Sequence, residues 1–171
     1  LLQGKGHRQV TCPRRAAAGA AACCLLAALA MPAAPASACE AVLREHRGGA
    51  ELARLPLDAA RPELRIAFEH SVLGTTVVDR YRFTPAPRLV EERFDGQGYG
   101  LPHTAGPGET LQRDGAGWRL VLDRAVDPLV VRPLPAQRMR IVLADRELPL
   151  ATLSSAAIEI AARGCPNRPA P

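Results

Sequence analysis

From Leu64 onward the chain is written in short alternating runs of apolar and polar residues, broken by Pro, Gly and Asp. Leu64, Ile66 and Phe68 alternate with Arg65, Ala67 and Glu69, a period of two that predicts a half-buried strand. Gly74 breaks the run. Val77, Asp79, Tyr81 and Phe83 then alternate with Val78, Arg80 and Arg82, so the two strands form a hairpin around Ser71 to Thr75. Leu89 to Phe94 is a third strand, ended by Asp95-Gly96, and Trp118 to Leu122 a fourth, entered through the turn Gly115-Ala116-Gly117. Leu129 to Arg132, Met139 to Leu143 and Glu147 to Leu150 continue the series, with Asp145-Arg146 as a tight connection. Glu40 to Arg44 fits a strand or a short turn of helix, and His46-Arg47-Gly48-Gly49 a loop. Ser154 to Ala162 fits a short helix capped by Ser154 or Ser155, but the alternation of Ile158 and Ile160 favours a closing strand. No stretch after Cys39 holds a helical period over ten residues. Many short strands at near-regular spacing predict an all-β domain, a small antiparallel β-sandwich or a partly open barrel.

The pattern before Cys39 is of another kind. Arg14 and Arg15 precede an apolar run from Ala16 to Ala30, and Ala36-Ser37-Ala38 follows. A basic start, a short apolar run and a small-residue cleavage site are the layout of a secretory signal peptide. The run is shorter than the roughly 20 residues of a membrane-spanning helix, so it reads as an export signal and not an anchor. The stretch before Arg14 has no periodicity and reads as an extension ahead of that leader. The expected organisation is an extension and leader over 1–38, a single β domain over 39–165 and a disordered tail over 166–171, with the processed protein outside the cytosol in the periplasm or cell envelope.

Processing changes the charge. The whole chain carries a formal +5. Lys5, Arg8, Arg14 and Arg15 leave with the leader and no acidic residue does, so 18 basic side chains remain against 17 acidic ones. A net charge of +1 gives no cation surplus with which to displace phosphate counterions, which excludes a nucleic-acid binder. Cys12, Cys23 and Cys24 leave as well, and Cys39 and Cys165 remain near the two ends of the domain. Two cysteines in an exported protein predict a disulfide. The competing reading is a lipoprotein acylated at Cys39, although Ala36 stands where such a signal usually has Leu. A twin-arginine export route is a further reading of Arg14-Arg15, which lacks the flanking residues that route prefers.

The candidate chemistry centres on His70, which continues the inward Leu64-Ile66-Phe68 face, and on Asp79, which continues the inward face of the next strand. A buried carboxylate needs a partner, and a hydrogen bond to His70 would supply one and orient the ring. With Ser71 as nucleophile this would be a catalytic cluster. Yet neighbours on a strand point to opposite faces, and there is no Gly-x-Ser-x-Gly elbow, so a structural polar cluster is the expectation and no residue is assigned as catalytic. Glu91 is placed with Leu89 and Arg93 on one face, Glu92 with Val90 and Phe94 on the other. Glu92 and Asp79 together would make a cation or amine site; the plainer reading is an ion pair of Glu92 with Arg80 or Arg82. His46, His70 and His103 lie at no metal-ligand spacing, and neither a metal nor a cofactor is expected. Gly96, Gly98, Gly100, Gly106 and Gly108 form a shaped loop whose backbone needs positive φ; no Gly-Lys-Ser/Thr or helix follows, so it is not a phosphate loop. Within it Gly100, Pro102 and His103 could wall a pocket or meet a partner, and Trp118 is expected to anchor the core.

Five pieces of text carry a family resemblance: His70-Ser71-Val72, Asp79-Arg80-Tyr81-Arg82-Phe83, Glu92-Arg93-Phe94, Gly100-Leu101-Pro102 and Asp114 to Trp118. In that order they resemble a small uncharacterised bacterial domain encoded beside the permeases of TAXI-type TRAP transporters, over roughly Leu64 to Ile160. Asp79 stands where relatives usually carry Glu, and Gly115-Ala116-Gly117 lengthens the turn before Trp118. The resemblance implies no reaction. It implies an exported accessory or binding protein that serves a solute-uptake system for organic anions, with the TRAP permease or its solute-binding protein as partner. The alternative, from the residues alone, is a small periplasmic hydrolase or metal-dependent enzyme using His70 and Asp79.

Overall fold

A computed structural model describes residues 38–96, 98 and 100–167. The leader expected over 1–38 lies outside these residues except for Ala38, and so does the last part of the tail, 168–171. The described chain is a β-sandwich of two antiparallel sheets. One has four strands in the order β2-β1-β11-β8, from β1 (Glu40–Glu45), β2 (Glu51–Pro56), β8 (Leu129–Val131) and β11 (Ile158–Arg163). The other has seven in the order β10-β9-β3-β4-β5-β7-β6. Its strands are β3 (Glu63–Glu69), β4 (Thr76–Arg82), β5 (Arg88–Phe94), β6 (Thr110–Asp114), β7 (Gly117–Ala125), β9 (Arg140–Val142) and β10 (Glu147–Pro149).

The alternation of each strand divides its residues between a core face and a solvent face. Leu43, Ile158 and Ile160 of the smaller sheet meet Ile66, Leu120 and Ile141 of the larger one, and all six are buried. Leu150, in a short 3-10 turn after β10, plugs the same core. Trp118 packs on this core from its rim, half-buried, with the Arg113 guanidinium 4.6 Å from the ring centre. The segment at Ser154 to Ala162 resolves as the closing strand β11, and Glu40 to Glu45 as strand and not helix. β2 and β6 were not anticipated. β6 presents a single apolar residue, Leu111, and its other residues are exposed, so it leaves almost no period-two signal.

β1 pairs with β11 so that Glu40 faces Arg163. Continuing both strands by one or two residues brings Cys39 and Cys165 together, and they form the disulfide that the sequence predicts. The bond takes the Cys39 sulfur that acylation would need. It closes a loop of 126 residues around the whole sandwich.

One face assignment needs correction. Leu89 and Glu91 do not share a face: Leu89 joins the core, while Glu91 meets arginines on the solvent side. The cause is an irregularity in the ladder. Asp79 faces Glu92 and Arg80 faces Glu91, but Tyr81 faces Leu89, so Val90 is an extra residue on β5. A bulge shifts every later residue by one and exchanges the two faces. Leu89 and Phe94, five positions apart, can therefore both reach the core.

Two polar sites on opposite faces of one sheet

The inner face of β4 and β5 carries two carboxyl groups directly opposite one another, Asp79 and Glu92. Asp79 is 8 % exposed. Its Oδ2 accepts a hydrogen bond from the Tyr81 hydroxyl at 2.9 Å, and its Oδ1 is buried with no partner among the described residues. Burial, and then the neighbouring charge of Glu92, push the Asp79 carboxyl up to about 7, against the opposing pull of the Tyr81 hydroxyl and of Arg124. Glu92 is raised as well, first by burial, with Glu109 adding to the effect and Arg124 opposing it. Two carboxyls this close in a poorly solvated site do not ionise independently. Such a pair favours a shared proton, and Asp79 is its more buried member.

The glycine loop leads to Glu109, whose charge acts on Glu92. Gly100 has φ +93°, a conformation that side chains other than glycine rarely adopt. It turns the chain so that Leu101 buries in the core, while Pro102 is half-buried and His103 is exposed. At the far end of the loop Glu109 accepts the Gly106 N–H at 3.0 Å and the Arg124 guanidinium at 3.1 Å. The loop N–H, then Arg124, hold the Glu109 carboxyl below its usual range, although burial works against them.

His70 is not part of this group. The hairpin is symmetric about Val72 and Leu73, so His70 pairs with Thr75, and Asp79 lies opposite Ile66. Four residues of strand separate the two groups, about 13 Å at 3.3 Å per residue. The imidazole instead faces its own turn, with Nδ1 at 3.4 Å from the Val72 N–H and 3.3 Å from the Leu73 N–H. Ser71 is exposed in that turn. The hydrogen bond expected between His70 and Asp79 does not form, and Ser71, His70 and Asp79 do not converge. Among the described residues no three His, Cys, Asp or Glu side chains gather within metal-binding reach.

The ion pair expected of Glu92 falls to its neighbour. Arg80 projects from the outer face of β4, so it reaches Glu91 at 3.1 Å and Glu63 at 2.9 Å, and Arg82 reaches Asp123 at 3.0 Å. Glu91 also accepts from Arg93 at 2.9 Å and from Arg119 at 2.6 Å, and is only 8 % exposed at its side chain. Burial alone would raise its carboxyl, but the guanidinium bonds of Arg119 and Arg93, with the charges of Arg80 and Arg119, hold it below the usual range. Around Glu91 the twisted sheet forms a hollow of about 530 Å³, walled by Arg65, Arg80, Arg93 and Arg119 with Glu63 and Val78.

Sequence reading missed this arginine group. Each member stands between inward residues on its own strand (Leu64-Arg65-Ile66, Asp79-Arg80-Tyr81, Glu92-Arg93-Phe94, Trp118-Arg119-Leu120), so its outward direction was legible. What the alternation does not give is cross-strand register, and register is what gathers the four.

The described chain is thus a disulfide-closed β-sandwich with a carboxyl pair on the core face of its larger sheet and an arginine-walled hollow on the outer face. The chain belongs to the family DUF1850, a domain of unknown function, whose match covers residues 64–150. That span takes in all of the seven-stranded sheet but Glu63, and with it both polar sites. No curated protein and no solved structure matches the chain.

Proposed function

We propose that this protein is an exported accessory or binding module without catalytic activity, working beside a TRAP-type (TAXI) solute-uptake system by contact with its permease or its solute-binding protein. The observation that carries the reading is the division of polar groups between the faces of the larger sheet. Asp79 and Glu92, the pair with the most perturbed chemistry, lie on the core side with Tyr81, and His70 and a serine nucleophile stand elsewhere. The arginine cluster around Glu91 lies on the outer face. Catalysis by a shifted carboxyl needs an open cleft and a reacting partner within reach, while a buried carboxyl bonded to a tyrosine hydroxyl is architecture. The leader pattern and the Cys39–Cys165 bond favour an oxidising compartment outside the cytosol. The transporter association rests on the resemblance carried by His70-Ser71-Val72 through Trp118.

The test is chemical cross-linking in intact cells, then purification of the processed protein from its own envelope and identification of what comes with it. The expected result is a TRAP permease or solute-binding protein, enriched over a strain that lacks the domain. Cross-linked captures that repeatedly lack every transporter component would contradict the reading.

A further inference from the structure

On the outer face of the seven-stranded sheet, Arg65 lies directly opposite Arg80 and Arg93 directly opposite Arg119. Like charges facing one another across a strand pair are destabilising. Here two such pairs stand side by side in the hollow of about 530 Å³. Its wall answers four guanidinium groups with two carboxylates, Glu63 and Glu91. Glu91 is divided among Arg80, Arg93 and Arg119, and Arg93 has a further partner in Asp114 at 2.9 Å. The compensation is therefore concentrated at the β5–β7 side. At the β3–β4 side Glu63 and Glu91 meet the two terminal nitrogens of Arg80, and Arg65 is left without a carboxylate among the described residues. Arg65 is exposed and has no ion-pair partner among the described residues, and the Nε–H of Arg80 is buried with no acceptor. Arg65 and Arg80 also border a second hollow of about 270 Å³, which runs toward β9 along Leu57, Val142 and Leu143. The unpaired Arg65 fork, set beside the Arg80 guanidinium at the junction of a charged and a partly apolar hollow, matches a ligand with an anionic head and an organic body.

We infer that the Arg65–Arg80 pair is the seat of a small organic oxyanion, a carboxylate or a phosphate ester, whose anionic group bridges the two guanidinium groups and whose body lies in the adjoining hollows. A guanidinium fork matches carboxylate and phosphate oxygens two at a time, and the larger hollow is within the range of small-molecule sites and larger than an inorganic anion fills. Glu91 then positions the site. By bonding three arginines from three strands, it fixes their directions before any ligand arrives. The site is a property of the domain itself and does not depend on the transporter association, so either reading can fail without the other.

The experiment is calorimetric titration of the full chain, expressed with its own leader and purified from the envelope in its oxidised form. The probes are succinate, citrate and glycerol 3-phosphate, with inorganic phosphate and chloride at matched ionic strength. Saturable binding of at least one organic oxyanion is expected, and the stronger arm tells carboxylate from phosphate ester. Arg65→Gln should weaken it about tenfold or more, the scale of a lost charge-assisted hydrogen bond, and Arg65→Lys should fall between the two. Because Arg65 is exposed and unpaired, these variants keep the fold. Arg47→Gln removes one charge from a turn on the other sheet and should leave binding unchanged. The inference is overturned by the absence of saturable binding, by chloride or inorganic phosphate matching the organic probes, or by equal losses in the Arg65→Gln and Arg47→Gln variants.

Discussion

Glu91 and Glu92 are adjacent in sequence, identical in chemistry and opposite in state. The outward one meets three guanidinium groups, which hold its carboxyl below the usual range; the inward one is raised, first by burial. The pleat alone separates them. Removing Glu91 should therefore be costly, because Arg119 would lose its one ion-pair partner among the described residues and Arg80 and Arg93 one of their two. Breaking a buried pair by deleting one partner costs about 3–5 kcal/mol, and the partial exposure of the arginines places Glu91→Gln near the lower end, at roughly 3 kcal/mol. Urea denaturation of the variant checks this through its midpoint; a loss below about 0.5 kcal/mol would mean that the cluster is an ordinary solvated surface. Asp79 has the reverse sign of linkage. A carboxyl raised in the folded protein binds its proton more tightly there than in the unfolded chain. The stability it adds is complete below its ordinary value of 3.8 and is lost as pH rises through about 7.

Among the elements, legibility followed the amount of apolar alternation. β3, β4, β5 and β7 each alternate inward and outward residues over several positions, and their existence and approximate bounds were readable. β6, with one apolar residue, was not. Faces were readable until the bulge at Val90, which no local composition announces, exchanged Leu89 for Glu91. The pairing of His70 with Asp79 failed for a different reason: Asp79 was rightly placed on the inward face, but the turn at Ser71 to Gly74 sets it against Ile66 and leaves the His70 imidazole over its own turn. The glycine loop was legible as a backbone problem and its solution was not. Gly100 holds φ +93° beside the buried Leu101. Gly100→Ala forces a side chain into that region at a cost of roughly 1–2 kcal/mol. The expected readout is a lowered thermal midpoint together with faster amide hydrogen exchange around Leu101. An unchanged midpoint would show that the loop adds nothing to the core.

The sandwich as a whole is closed by one covalent bond between its ends. Because Cys39 and Cys165 are 126 residues apart, the chain-entropy account assigns the bond about 4–5 kcal/mol through its effect on the unfolded state. The Cys39→Ser/Cys165→Ser double variant should retain the β-sheet circular dichroism spectrum and lose a large share of its denaturation free energy. A loss under about 1 kcal/mol would mean that the β1–β11 ladder alone holds the termini. The whole-molecule view also makes the pH response of stability a report on the inner face. If Asp79 and Glu92 are sealed architecture, and the outer face is left to meet ligand and partner, global stability must carry their linkage. The most direct measurement is the urea unfolding free energy of the wild type and of Asp79→Asn at steps from pH 4 to pH 8. The account predicts that the wild type loses roughly 2–4 kcal/mol as pH rises across that range, and that Asp79→Asn removes most of the dependence. Parallel curves for the two proteins would contradict it, because they would mean that Asp79 titrates in the folded protein as it does in water.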